Sequence, residues 1–171
     1  MTNYRYAVTE TPVGQALIAL SDEGLVALRL SERDVEAELA ALSHELGAMP
    51  ALDEGAAADV AGQLDEYFGG ERRAFDLVLD WRLIRGFHRE ALRAVCDIPY
   101  GETASYGEVA ITAGRPGAAR AVGTACRLTP FSLVVPVHRV VRADGSIGEY
   151  GARPEVKRYL IELENPEGLP R

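Results

Sequence analysis

The chain has 171 residues, of which 47% are hydrophobic and 26% charged, so it is long enough to bury a core in one or two domains. No apolar run approaches the roughly 20 residues of a membrane-spanning helix, and the N-terminal residues lack the pattern of a signal peptide. The net charge of −8 is unevenly spread: residues 1–80 carry 5 Lys and Arg against 16 Asp and Glu, whereas residues 81–171 carry 13 against 10. We therefore expect a cytoplasmic protein without membrane contact, and any nucleic-acid surface should lie in the second half.

The cysteines and histidines do not form a metal-binding pattern. Cys96 and Cys126 are the two cysteines, and neither belongs to a CxxC or mixed Cys/His cluster. None of His44, His88 and His138 has a partner four residues away, the spacing that would place two ligands on one helix face. We expect free thiols, no metal and no cofactor.

The first half combines strand and helix patterns. Residues 4–31 alternate in the manner of an antiparallel meander of short strands. Ser31 is the predicted N-cap of a helix that ends at Gly47. The pattern then predicts, in order, a linker at 48–55, a helix at 56–68 and a returning strand at 75–79. We expect residues 1–80 to form an α+β scaffold domain that contributes no chemistry.

The second half, residues 81–171, is predicted to be a helical domain. Ser105 and Glu108 form a capping-box pair at the start of a short helix, and Pro154 suits the first turn of the last one. Cys96, on the first helix, is predicted to be buried in the core. The predicted helices cover residues 87–98, 106–113, 118–127 and 154–165. A tight Gly-containing turn between the second and third predicts a helix-turn-helix.

Residues 134–150 hold the most unusual local pattern. An apolar run ends at Pro136, and His138 is followed directly by Arg139. The Ala-Asp-Gly sequence at 143–145 predicts a turn that closes a hairpin-like element. A packed core has no need of a histidine next to an arginine, so the pair is a candidate functional site.

Several ordered motifs of the second half are shared with one protein family. They are IPYGETASYG at 98–107, PGAARAVG at 116–123, PVHRV at 136–140 and GEYG at 148–151. The chain resembles the O6-alkylguanine-DNA alkyltransferases, also called methylated-DNA–protein-cysteine methyltransferases. The resemblance implies an N-terminal ribonuclease H-like domain, with a small antiparallel sheet and helices, and a C-terminal winged-helix domain that binds duplex DNA.

The resemblance also assigns roles to individual residues. Arg120 would fill the space left when a damaged guanine is rotated out of the duplex, and Tyr106 would crowd the adjoining phosphate. His138 would act as a base held in the correct tautomer by Glu164. Further DNA contacts are expected from Arg115, Arg127, Ala119 and Gly123, and the base pocket from Cys126, Pro136, Val137, Tyr150 and Gly151.

One position departs from the family pattern. The family signature reads PCHRV, and Val137 lies where the signature has the nucleophilic cysteine. The resemblance then implies a lesion-binding protein of the alkyltransferase-like kind, which binds O6-alkylguanine in duplex DNA and passes it unrepaired to downstream repair proteins. The His138–Glu164 pair would be a structural relic, orient the bound base or activate water. A cysteine-to-valine substitution made to trap DNA would have the same sequence.

Two other functions are compatible with the sequence. Cys126, six residues after Arg120, would be a displaced alkyl acceptor if the chain is an active transferase. Alternatively, the chain would be a non-repair winged-helix DNA-binding or regulatory protein that contacts phosphates weakly through Arg115, Arg120 and Arg127. For the leading function we expect a monomer associated with the nucleoid.

Overall fold

The computed structural model describes residues 1–31, 34–151 and 153–168. The chain divides into two compact units, one formed by Met1–Leu83 with Pro130–Ser132, the other by Ile84–Thr129 with Leu133–Arg171. No helix in the described part of the chain has the length and apolar character that crossing a membrane requires.

The first unit is built on a four-stranded sheet in the order β3-β2-β1-β4. Its strands are β1 (Arg5–Thr11), β2 (Gly14–Ser21), β3 (Gly24–Ser31) and β4 (Ala51–Leu52). The first three form the predicted antiparallel meander, whereas β4 pairs in parallel with β1. The backbone N–H of Ala51 donates to the carbonyl of Tyr4 at 2.9 Å. The expected antiparallel sheet is therefore mixed, because part of the predicted linker adds a short strand.

Two helices accompany this sheet: α1 (Val35–Leu46) and α2 (Ala58–Phe68). The N-cap of α1 is Asp34, whose carboxylate accepts from the N–H of Ala37 at 2.9 Å. Ser31 was the wrong choice of cap, because it ends β3 and its hydroxyl accepts from the N–H of Asp34 instead. Gly47 ends α1 in the left-handed conformation, as predicted. The core of this unit contains the fully buried residues Leu17, Ala19, Val26, Ala27 and Leu42.

Residues 75–79 do not form the predicted strand, apart from an isolated bridge between Leu79 and Leu25. Two backbone hydrogen bonds tie this segment to β3. The N–H of Leu25 donates to the carbonyl of Val78 at 2.9 Å, and the N–H of Asp80 donates to the carbonyl of Leu25 at 2.8 Å. Val78 is 73% exposed and Asp76 is exposed too, whereas Phe75, Leu77 and Leu79 are half-buried, so the alternation in burial is present although no regular strand forms.

Gly24 makes this crossing possible, and its replacement by alanine should destabilise the protein. Its φ is +145°, and an added Cβ would lie 2.4 Å from the carbonyl oxygen of Val78. Gly47→Ala is a matched control, because Gly47 has φ +71° and no atom within 4 Å of an added Cβ. In urea unfolding we expect Gly47→Ala to cost about 1–2 kcal/mol and Gly24→Ala to cost clearly more. Equal losses of unfolding free energy in the two variants would show that the backbone at Val78 moves away from the added Cβ at no energetic cost.

The second unit is mainly helical, with α3 (Gly86–Val95), α4 (Tyr106–Thr112), α5 (Ala119–Arg127) and α6 (Pro154–Glu164). The capping box of Ser105 and Glu108 is present at the start of α4, and Pro154 occupies the first turn of α6. Helix α3 ends at Val95 rather than near residue 98, and the next residue, Cys96, is exposed and not in the core.

The segment at 134–150 is less regular than predicted. A short 3-10 turn, Val137–Arg139, leads into β6 (Val140–Val141), which pairs in parallel with β5 (Ala104–Ser105). The predicted turn exists, since the N–H of Gly145 donates to the carbonyl of Arg142 at 2.9 Å. The strand before it, however, pairs with a distant segment and not within its own hairpin.

Candidate functional site

A buried carboxylate cluster joins the 3-10 turn to the end of α6. Glu164 accepts from both groups that follow Val137: its Oε1 lies 2.8 Å from Nε2 of His138, and its two oxygens accept from Arg139 at 2.8 and 2.9 Å. A further Arg139 N–H donates to the carbonyl of Ile98 at 2.7 Å. His138 is fully buried, and the side chain of Glu164 is 2% exposed. The carboxylate therefore acts as the acceptor for two neighbouring side chains at once.

The electrostatics of this cluster determine the state of His138. Burial acts to raise the pKa of Glu164, but the hydrogen bonds from His138 and Arg139 outweigh it and lower that pKa to about 2. Burial lowers the pKa of His138 despite the attraction of Glu164. The imidazole is then neutral, and its Nε2–H donates to the carboxylate. Nδ1 is left unprotonated and buried, with no hydrogen-bond partner among the described residues.

Val137 begins the turn that carries His138 and is 5% exposed. Its neighbour Pro136 is also buried, whereas Tyr150 is half-buried and Gly151 is exposed. The surface groove over α6 is lined by other residues, namely Ile147, Pro154, Glu155, Arg158, Tyr159 and Glu162. None of the five residues predicted to form the base pocket lines this groove.

Lys157, on α6, is a buried cation that the sequence interpretation missed. Its ammonium donates to the carbonyl of Val140 at 2.6 Å and to that of Glu149 at 3.3 Å, and it lies 3.5 Å from the hydroxyl of Tyr106. Burial lowers the pKa of Lys157 to about 8. A signal was present, because position 157 shares the helical face of residues 160, 161 and 164, all of which are buried.

The candidate DNA-contacting residues lie on and around α5. Arg120 and Arg127 on this helix are exposed, and Arg115 stacks its guanidinium 4.9 Å from the centre of the Phe87 ring. Ala119 and Gly123 are half-buried, and a Cβ added to Gly123 would lie 3.9 Å from the ring of Tyr106. Four of the residues predicted to contact DNA, Ala119, Arg120, Gly123 and Arg127, thus lie on α5, Arg115 precedes this helix, and Tyr106 packs against it.

Cys126, the predicted displaced acceptor, is half-buried on α5. Burial raises the pKa of its thiol to about 12, and the nearby charge of Lys157 only partly opposes this. The thiolate is the nucleophilic form of cysteine, so this environment does not activate Cys126. In the described part of the chain, no three His, Cys, Asp or Glu side chains are grouped as metal ligands.

Comparisons with known proteins define the class of this protein. Residues 86–166 match the family model described as "6-O-methylguanine DNA methyltransferase, DNA binding domain", and residues 4–81 match its ribonuclease-like domain. Fold and site together therefore define a two-domain DNA-binding protein with an α+β first domain and a helical second one. The chain belongs to the 6-O-methylguanine DNA methyltransferase family, as the resemblance predicted.

Relatives in this family match nearly the whole chain. The methylated-DNA–protein-cysteine methyltransferase of Mycobacterium tuberculosis strain H37Rv is 39% identical over 93% of this chain and 91% of its own length. The enzyme of the same name from Methanosarcina barkeri is 34% identical over 93% of this chain and 96% of its own. A crystal structure of Mycobacterium tuberculosis OGT in complex with DNA has a TM-score of 0.79 and 38% identity, covering 96% of this chain and 93% of its own. The predicted α+β class is thereby confirmed.

Proposed function

We propose that this protein binds duplex DNA, rotates an O6-alkylguanine into its second domain and holds it there without removing the alkyl group. The proposal rests on one residue: Val137 directly precedes the buried His138, and by resemblance to the PCHRV signature it stands where that motif has the acceptor cysteine. Alkyl transfer to protein needs a thiolate, and a valine side chain has no lone pair. Valine is close to cysteine in volume, so the pocket keeps its size and an apolar wall.

The His138–Glu164 pair then has the role of orienting the base. Its geometry is that of a base held by a carboxylate, but the residue before it cannot be deprotonated. The unprotonated Nδ1 of His138 is a hydrogen-bond acceptor suited to an N–H of the rotated guanine. The binding domain would have a winged-helix arrangement, with Arg120 of α5 entering the base stack and Tyr106 beside the phosphate.

A protein that binds a lesion but does not repair it depends on another protein to remove that lesion. We therefore assign it the role of a monomeric marker that is recognised by downstream repair proteins while bound to damaged DNA. Lesion rotation costs a few kcal/mol and is easiest at weakened base pairs, which favours damaged over intact sites.

The second candidate function is alkyl transfer to Cys126, and it is favoured by the names of the relatives, which are methyltransferases. The raised pKa of about 12 argues against it, because only about one thiol in 10⁵ would be ionised at neutral pH. Intact-protein mass after incubation with methylated duplex tests this function. A methyl group on Cys126 would replace the binding proposal with an enzymatic one.

Arg120→Ala should lower the preference for damaged DNA. We expect the unsubstituted protein to bind a duplex with one O6-methylguanine more tightly than the same duplex with guanine. Loss of the inserted side chain should reduce this preference about tenfold, since the extruded base leaves a space that nothing fills. Fluorescence anisotropy with both duplexes measures it.

Arg158→Ala is the matched control, because Arg158 is an exposed arginine of α6, on the wall of the surface groove. It removes the same charge and should leave the preference unchanged. Equal weakening on both duplexes by Arg120→Ala would indicate backbone binding alone, as in a non-repair DNA-binding protein. The absence of any preference in the unsubstituted protein would contradict lesion recognition.

A further inference from the structure

The ammonium of Lys157 connects three segments of the second unit. It donates to Val140 in β6, to Glu149 in the loop before α6, and lies beside the hydroxyl of Tyr106 at the start of α4. The loop comes close at Gly148, where an added Cβ would lie 3.3 Å from the Tyr106 hydroxyl and 3.7 Å from Nζ of Lys157. The lysine and tyrosine therefore form a closely packed pair.

The number of protons on Lys157 decides what the tyrosine hydroxyl does with its own proton. An ammonium has three donors and no acceptor, so toward Tyr106 it can only donate, and the phenolic proton is free to point elsewhere. A neutral amine has two donors and one lone pair. The two carbonyls of Val140 and Glu149 take both donors, and the lone pair then faces the hydroxyl of Tyr106 and accepts its proton.

We propose that Lys157 is a positioning residue that directs the Tyr106 hydroxyl proton outward to DNA when it is an ammonium, and inward when it is a neutral amine. The inference rests on the proposed function, in which Tyr106 lies beside the phosphate of the rotated nucleotide. An outward O–H donates to a phosphate oxygen, whereas an inward one turns its lone pairs toward that anion. Lesion binding is therefore stronger in the ammonium state.

The surroundings of Lys157 place this change near neutral pH. Burial lowers its pKa to about 8, and the nearby Arg142, after β6, acts in the same direction. Cys126 on α5 would oppose this only as a thiolate, and its thiol has a pKa of about 12. The positive charge of Lys157 in turn helps to lower the pKa of His138 in the 3-10 turn. Glu149 contacts it through the backbone carbonyl. The tyrosine keeps its proton throughout, because burial raises its pKa.

As pH rises, the contribution of Lys157 to global stability increases while the lesion preference decreases. The two effects can therefore be told apart. The folded-state pKa lies below the ordinary value of 10.5, so the folded protein releases this proton at lower pH than the unfolded chain. The contribution of Lys157 to stability therefore rises as pH increases from about 8 toward 10.5. A loss of lesion preference over that range cannot come from this group destabilising the fold.

The test compares affinities for the O6-methylguanine duplex and the guanine duplex from about pH 7 to 9, across the titration of Lys157. In the unsubstituted protein, the preference should fall about fivefold as pH rises, the effect of one net hydrogen bond. Lys157→Met, of similar length but with neither an N–H donor nor an amine lone pair, should show a preference that does not change with pH. Tyr106→Phe, which keeps the ring packed on α5, should show the low preference at every pH.

Each outcome decides between explanations. A preference that exists and does not change with pH overturns the role of Lys157 while leaving the proposed function intact. A pH step that survives in Tyr106→Phe also overturns it, because another group would then cause the step. No preference at any pH, in any variant, overturns the proposed function and this inference with it.

Discussion

Val137→Cys should convert the protein into a stoichiometric DNA alkyl acceptor. The substitution places a thiol at the residue that directly precedes His138, whose imidazole is already neutral, already held by Glu164, and unprotonated at Nδ1. An adjacent base is what activates such a nucleophile. After incubation with an O6-methylguanine duplex, intact mass should show one added methyl per protein and the duplex should contain guanine. The unsubstituted protein should show neither change.

Two further variants identify the cause of this gain. Val140→Cys introduces a thiol at an equally buried position of the same motif and should accept no methyl group. Adding His138→Gln to Val137→Cys should slow transfer about 10²-fold, the contribution of a positioned base. Transfer at the same rate without His138 would mean that the buried pair is not a base and its carboxylate. No transfer by Val137→Cys would show that position 137 is not the acceptor position.

The starts of α4 and α6 were the most predictable part of the fold, since both carry local sequence signals. Ser105 and Glu108 sit three residues apart and satisfy each other's backbone groups, and Pro154 fits only a first turn. The short strand β4 carries no such signal, because its two residues form a strand only through pairing with β1, which is distant in the sequence. Ser31 and Asp34 both suit an N-cap, and only the end of β3 decides between them.

The candidate site, too, was predictable from the sequence only in part. The resemblance indicated His138 and Glu164, although 26 positions separate them in the chain. That Arg139 shares the same carboxylate, and that Lys157 reaches Tyr106, depends on how α6 packs. Sequence patterns record which residues face a core, but they do not record which polar atoms meet there. Contacts between distant segments therefore had to come from the structure.

Glu164→Gln should be the most destabilising single change of the buried cluster. It removes the carboxylate charge that Arg139 and His138 share, and it leaves Arg139 as a buried cation without its partner. Breaking a buried ion pair in this way costs about 3–5 kcal/mol. Urea unfolding at neutral pH measures the loss. Glu155→Gln is the control on the same helix, since the 65% exposed Glu155 pairs with Arg153 only at the surface and should cost less than about 1 kcal/mol.

The same substitution should also change how stability depends on pH. The pKa of Glu164 is lowered from 4.5 to about 2 in the folded protein. Its stabilising contribution is therefore complete above the unfolded pKa and is lost as pH falls from about 4.5 toward 2, by about 3 kcal/mol in total. Unfolding free energies of the unsubstituted protein should decline across this window, and those of Glu164→Gln should decline less. Parallel curves would contradict the assignment, because the carboxylate would then carry the same proton in both states.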